Sequence, residues 1–340
     1  MVRWRTRRSR QWSPIAGTAP HVSTVSAIIS ILHVRLTLHK QLAVLCCCSV
    51  LFLPGACGNK NLAEQPDRPQ LTANVTLRDV TFYSRALDRE MIYRVILPAE
   101  ISGEQKLPVV YLLHGGGGGY RDWSNYSNVA SYAERGLILV MPEGNSSYYT
   151  NSAGNPRDRY EDYIVKDLLA DVESKFPAAA GKENRAIAGV SMGGYGAIKI
   201  ALRFPGLFVF AAGISPALDV PSRPFSIKRP LQWKFHSSIF GPVGSQTRHD
   251  NDPYVLARTA DPVKTPYLFL SCGEQEGLLT ANKRFAAQLA ERKFSFEFHA
   301  ANGDHNWSQW DQWIPEMFQS LLRNPQFKQP IISGNELRGR

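Results

Sequence analysis

Beyond its first sixty residues the chain holds a single cysteine, Cys272. The other four of its five, Cys46, Cys47, Cys48 and Cys57, lie in the N-terminal segment. A lone thiol excludes a disulfide framework in the body. Its setting, "YLFLSCG", predicts an inert buried side chain at a strand end. Acidic residues are missing from residues 1–60, which carry eight basic ones: Arg3, Arg5, Arg7, Arg8, Arg10, Arg35, Lys40 and Lys60. Taking these from the 39 basic and 29 acidic residues of the whole chain leaves 31 and 29 in residues 61–340, so the body is nearly neutral. Eight of the ten net positive charges therefore belong to the N-terminal segment. With no basic helix or RNA-binding signature in the body, a nucleic-acid partner is excluded. Metal-ligating clusters and a dinucleotide fingerprint are also missing. The glycine run "GGGGG" lacks the Lys of a phosphate loop. No cofactor and no metal are expected. Repeats and low-complexity tracts are absent after residue 70.

The N-terminal segment reads as an address. Leu42 to Leu53 is an unbroken run of apolar and small residues, preceded by His39, Lys40 and Gln41. Its length suits the apolar region of a signal peptide and falls short of the ~18 residues that a membrane-spanning helix needs. It ends "LPGAC" at Cys57. Small residues before a Cys resemble a bacterial lipoprotein cleavage box. Cys57 would then be lipidated and tether the protein to a membrane in the cell envelope. Pro54 departs from that box, and the alternative is plain secretion after a cut near Ala56. Residues 1–37 are long and irregular for what precedes such a run, so translation is expected to begin near Leu36 or Leu38. The expected organisation is an export signal over residues 1–57, a polar tether over 58–70, one domain over 71–325 and a tail over 326–340.

Apolar residues make up 44% of the chain and aromatics 11%, enough for a sizeable core. "NVTLRDVTFYS" and "REMIYRVILP" predict an antiparallel hairpin. "LPVVYLLHG" and "GLILVMPEG" are continuous apolar runs, as strands buried on both faces should be. Tyr160, Ile164, Leu168 and Val172 predict a helix in "YEDYIVKDLLADVESKF". Strands then alternate with helices through "NRAIAGVS", "GGYGAIKIALRF", "LFVFAAGISP", "TPYLFLSCG", "LLTANKRFAAQLAERK", "FSFEFHA" and "WSQWDQWIPEMFQSLL". This predicts one α/β domain with a mostly parallel central sheet and helices on both faces. Residues 218–262, rich in Pro and aromatics, break the rhythm and predict a small cap over the carboxyl edge of the sheet.

Gly189-Val190-Ser191-Met192-Gly193 is a G-x-S-x-G nucleophile elbow between a predicted strand and a predicted helix. A serine hydroxyl needs a base to take its proton, and the tetrahedral intermediate needs fixed donors for its negative charge. The backbone N–H of Met192 supplies one. The loop "LLHGGGGGYRDW" follows a strand, and its Gly116 N–H is the expected second. Along chains with this elbow the order is Ser, acid, His. His305 in "ANGDHNW" lies in a turn before the last helix, where a base belongs. His236 and His249 fall in the cap, and His299 in a strand. Asp304, beside His305, is a decoy, because neighbouring residues rarely present their side chains to each other. The acid should follow "TPYLFLSCG", whose turn "SCGEQEGLL" leaves Glu274 and Glu276 open.

Five ordered motifs, "LLHGGGGGYRDW", "GNSSYYTNSAGNPRDRYEDYI", "GVSMGGYGA", "SCGEQEGLL" and "GDHNWSQWDQW", resemble the family of esterase D-like and S-formylglutathione hydrolases. That family also holds tributyrin and feruloyl esterases and the mycolyltransferases of the antigen 85 type. The resemblance spans about residues 75–323 and implies an α/β-hydrolase fold. The family's acid sits in a motif similar to Cys-Gly-x-x-Asp, whose last position falls on Glu276. A Glu there departs from the pattern but is an accepted acid in this fold. The implied activity is that of an exported serine carboxylic-ester hydrolase acting on esters of carbohydrates or small alcohols. An acyltransferase is one alternative. A retired enzyme serving as a carbohydrate-binding surface protein is another, supported only by the Glu for Asp. Tyr148, Tyr149, Tyr163, Trp233 and Trp307 could line a substrate groove, although packing is the simpler reading. Trp310 and Trp313, three apart on a helix, are expected in the core.

Overall fold

The computed structural model describes residues 66–329, so the export signal and Cys57 lie outside the described residues. Eight strands form one sheet: β1 Val75–Ser84, β2 Arg89–Pro98, β3 Val109–Leu113, β4 Ile138–Pro142, β5 Arg185–Val190, β6 Phe210–Ile214, β7 Tyr267–Gly273 and β8 Phe296–Ala301. Their order across the sheet is β1-β2-β4-β3-β5-β6-β7-β8. The β1–β2 hairpin is antiparallel and joins β4 antiparallel, while every pair from β4 to β8 is parallel. Every residue of β3, β4 and β6 is buried. That is why their sequences do not alternate: both faces are covered.

Helices supply the cover: α1 Asp122–Tyr126, α2 Ala130–Ala133, α3 Tyr160–Asp162, α4 Leu169–Lys175, α5 Met192–Arg203, α6 Pro230–Phe240, α7 Gln246–Asp250, α8 Pro253–Thr259, α9 Leu279–Glu291 and α10 Trp307–Arg323. Side chains alternate across β3 as the pleat requires. Val110 and Leu112 join the core under α1, α2 and α10, with Trp123, Tyr132 and Phe318. Val109, Tyr111 and Leu113 join the core under α4, α5 and α9, with Val172, Ile198 and Phe285. The helix expected from Tyr160, Ile164, Leu168 and Val172 buries all four, but a π-helical stretch, Tyr163–Leu168, joins α3 to α4. The wider turn did not show in the apolar spacing.

The predicted cap corresponds to α6, α7 and α8, inserted between β6 and β7. Ile239 and Phe240 of α6 pack with Val220 on Tyr195 of α5. Beside them, Lys199 of α5 is fully buried and bonds Glu161 at 2.7 Å and the Tyr149 carbonyl at 2.6 Å. Arg203 bonds the same carboxylate at 2.6 Å. Desolvation, opposed by Glu161, pushes the Lys199 ammonium down to about 8. The cluster ties the loop before α3 to the helix that follows Ser191.

Two segments placed outside the domain by sequence make contacts with it. Asp67, in the expected tether, pairs at 2.6 Å with the fully buried Arg94 of β2. Gln70 donates its N–H to the Ser124 carbonyl at 2.7 Å. At the other end, Phe327 is buried with the α10 core.

Candidate active site

The site begins with the backbone of Ser191. It stands between β5 and α5 at φ 54°, in the left-handed region that non-glycine residues avoid. Its N–H donates to the Ile214 carbonyl at 2.9 Å, and its carbonyl accepts from Tyr195 and Ala217 at 3.0 and 3.2 Å. These contacts hold the strained turn. The flanking glycines follow from crowding. A side chain on Gly189 would run into the Gly193 backbone, and one on Gly193 into the Leu113 carbonyl. The elbow thus lifts the Ser191 hydroxyl above the carboxyl edge of the parallel strands.

His305 lies between β8 and α10, and its Nε2 is 2.9 Å from Ser191 Oγ. Its Nδ1 is 2.7 Å from Glu276 Oε2. The imidazole is 35% exposed, whereas the Glu276 side chain is 0% exposed. Asp304 uses its carboxylate to cap the His305 backbone N–H at 2.9 Å and does not reach the ring. Glu274 is exposed. Of the two candidate acids, Glu276 alone meets the histidine.

The extra methylene of Glu276 is absorbed by its own turn. The side chain curls back so that Oε1 accepts the Gly273 N–H at 2.8 Å and the Ser215 hydroxyl at 2.5 Å. Desolvation raises the carboxyl pKa. The hydrogen bonds from His305, Ser215 and Gly273 outweigh it and hold the group below the ordinary glutamate value. Cys272, next to this turn, is buried as expected. Desolvation, aided by the Glu276 charge, pushes its thiol up to about 12.

Sequence reasoning missed Ser215. It directly follows β6 in "GISP", and serine at a strand end is too common to be a signal. The signal is conformational: Ser215 also sits in the left-handed region, at φ 49°. Hydrogen bonds to charged groups contribute about 1.5–3 kcal/mol. Ser215→Ala is therefore expected to lower kcat about tenfold to a hundredfold. It should also move the acid limb of the pH–rate profile upward, because the carboxylate loses a donor. Ser215→Gly relieves the backbone yet lacks the hydroxyl. If Ser215→Gly kept full activity, the hydroxyl would have no part in positioning Glu276.

The glycine-rich loop after β3 lies against the elbow. A Cβ on Gly115 would sit 3.6 Å from Ser191 Cβ, and one on Gly116 3.9 Å from Met192 Cβ. The loop's turn is closed by the Gly118 N–H on the Gly115 carbonyl at 3.2 Å, so the Gly116 N–H is not used for it. Met192 opens α5, where first-turn N–H groups have no carbonyl in their own helix. His114, fully buried, anchors the loop: its Nε2 accepts the Gly144 N–H at 2.9 Å.

The remaining histidines stand apart. His299 is 2.9 Å from Glu297 and stacks on Phe269. His249 is exposed on α7. His236 of α6 contacts the Tyr148 hydroxyl at 3.2 Å. Desolvation, aided by Arg223 and Arg248, lowers its pKa from 6.5 to about 4. Between those values the unfolded chain binds a proton that the folded chain does not. Stability is thus expected to be full above the ordinary histidine value and to fall as the pH drops toward 4. Thermal melts on both sides of that window check it, and His236→Gln should flatten the loss.

A cleft of about 610 Å³ opens beside His305, lined by the glycine loop, Tyr120, Tyr126, Trp307 and Trp310. Of the aromatics proposed from sequence, Trp307 lines it, whereas Tyr149 and Tyr163 are fully buried. Tyr148 packs on Tyr195 and Phe240, and Trp233 on Phe225 in the cap. Trp313 is buried as expected. Trp310 is buried too, but its ring meets the His305 imidazole edge-on at 4.9 Å, so it also walls the site.

A mostly parallel sheet of this order, a serine at a strained strand-to-helix turn and esterase relatives define a serine carboxylic-ester hydrolase of the α/β-hydrolase fold. The chain belongs to the family described as "Putative esterase", whose model matches residues 84–322. It is 24% identical over 264 residues to an acetyl esterase of Caldicellulosiruptor saccharolyticus, covering 73% of this chain and 99% of that one. It is 26% identical over 263 residues to an endo-1,4-beta-xylanase/feruloyl esterase of Xylanibacter ruminicola, covering 73% of this chain but 31% of that larger enzyme. The structure of a fluorophosphonate-binding serine hydrolase of Staphylococcus aureus superposes with a TM-score of 0.63 at 26% identity. That match covers 73% of this chain and 98% of the other.

Proposed function

We propose that Ser191, His305 and Glu276 form the catalytic triad of this esterase. We propose further that it acts outside the cytoplasm on acyl esters of carbohydrates or small alcohols. The observation that carries the reading is the unbroken series of hydrogen bonds from Ser191 Oγ to Glu276, 2.9 and 2.7 Å long. In the first half-reaction His305 Nε2 takes the hydroxyl proton as Ser191 Oγ attacks the acyl carbonyl. Glu276 fixes the ring with Nδ1 protonated and stabilises the imidazolium that forms. The N–H groups of Met192 and Gly116 receive the oxyanion. His305 then returns the proton to the leaving alcohol, and water repeats the sequence to free the acid.

The cleft walled by Tyr126, Trp307 and Trp310 supports a ringed or sugar-like alcohol. The names of the acetyl esterase and the xylanase/feruloyl esterase relatives point the same way. Export rests on the apolar run before Cys57 and carries the lipid tether as its finer form. The test is a panel of p-nitrophenyl acetate, acetylated and feruloylated xylo-oligosaccharides, and S-formylglutathione. The glycosyl esters are expected to give the highest kcat/KM. A preference for S-formylglutathione would sink the carbohydrate reading while leaving the esterase in place.

A further inference from the structure

We infer that the outer face of the cap, from Pro224 to Phe235, docks on an anionic lipid surface. Phe225, Ile227, Leu231 and Phe235 are exposed together in this one segment, Ile227 at 83% and Leu231 at 81%. Single exposed apolar side chains are ordinary, but a group of them marks an interaction site. Leu231 and Phe235 stand four apart on α6, hence on one side of it. Further along the helix His236 and Phe240 are buried, and so is Ile239, four residues past Phe235 on the same stripe. So the apolar stripe of α6 is buried at its C-terminal end, and its N-terminal part, Leu231 to Phe235, is left uncovered.

Charge selects the occupant. No acidic residue occurs between Asp219 and Asp250. Arg223 is paired with Asp219 at 2.6 Å, and Arg248 is buried on backbone carbonyls. Lys228, Arg229 and Lys234 remain exposed, interleaved with the apolar side chains, in a body that is otherwise near neutral. Apolar anchors mixed with cations are the composition of segments that lie in a membrane interface. Basic side chains close to anionic headgroups each add to the attraction. Among the described residues no helix is long and apolar enough to cross a membrane, so the contact is peripheral. The same cap lines, with Trp233 and His236, a groove that reaches Gly277 and Leu278, directly after Glu276. Docking there would hold the turn that carries Glu276 close to esters presented at the membrane.

The experiment is flotation of the full chain with vesicles of phosphatidylcholine alone or mixed with phosphatidylglycerol. Ile227→Asp/Leu231→Asp and Lys228→Gln/Arg229→Gln are compared with the parent. The N-terminal apolar segment is common to all three, so differences report the cap. The parent is expected to favour the mixed vesicles, and each double variant to lower that partition about tenfold. Hydrolysis of p-nitrophenyl acetate in free solution should be unchanged in both. Equal partition of parent and variants, or indifference of the parent to phosphatidylglycerol, overturns the inference. A dimer in sedimentation velocity that the same substitutions abolish also overturns it, since the patch would then belong to a second copy.

Discussion

Ser191→Ala is expected to lower kcat about a millionfold and to abolish labelling by a fluorophosphonate. Removing the nucleophile of a hydrogen-bonded triad costs about as much as removing the whole triad, because the members act as a unit. What survives, about 10³ to 10⁴ over water, comes from the oxyanion donors and binding. The proposed donors are backbone N–H groups of Gly116 and Met192, which the substitution leaves in place. Intact mass after a brief exposure to p-nitrophenyl acetate reads the acyl-enzyme directly. The parent should gain an acetyl group and Ser191→Ala should not. Retained labelling in the variant would place the nucleophile elsewhere.

Glu276→Ala is expected to lower kcat about ten-thousandfold, the scale of losing the orienting acid from a triad. Two effects combine. His305 loses the partner that fixes its tautomer and stabilises its charge. The Ser215 hydroxyl and Gly273 N–H are left facing an emptied pocket. Glu276→Asp should fall between the parent and Glu276→Ala. One methylene shorter, its carboxylate can keep His305 or its own turn, but not both at the present distances. Glu274→Ala should match the parent, since that side chain is exposed. Steady-state rates for the three variants settle the matter. Losing activity at Glu274 while keeping it at Glu276 would reverse the assignment.

Much of this site was readable before the fold was known. The elbow is local, spanning Gly189 to Gly193, and its meaning depends on a strand before and a helix after, both strongly patterned. The buried strands announced themselves by refusing to alternate. His305 followed from the order of elements. Glu276 did not follow from its neighbours, because Glu274 offers the same chemistry two residues away; family resemblance separated them. Ser215 and Trp310 were invisible as partners of the site. Each meets it from another strand or helix, and no local spacing encodes a contact between β6 and the turn after β7. Arg94 was hidden likewise: its partner Asp67 belongs to a polar stretch that looked like a tether.

The uneven exposure of His305 and Glu276 bears on how the enzyme tolerates brine. Salt screens charges that water surrounds and hardly touches those it cannot reach. The Glu276 carboxylate is sealed at 0% exposure and the His305 imidazole opens to solvent on one side, so ions can approach the ring but not the carboxylate paired with it. Turnover of neutral, soluble esters should therefore persist at ionic strengths that strip Lys228, Arg229 and Lys234 of their attraction for a membrane. In concentrated salt the chemistry and its location would come apart.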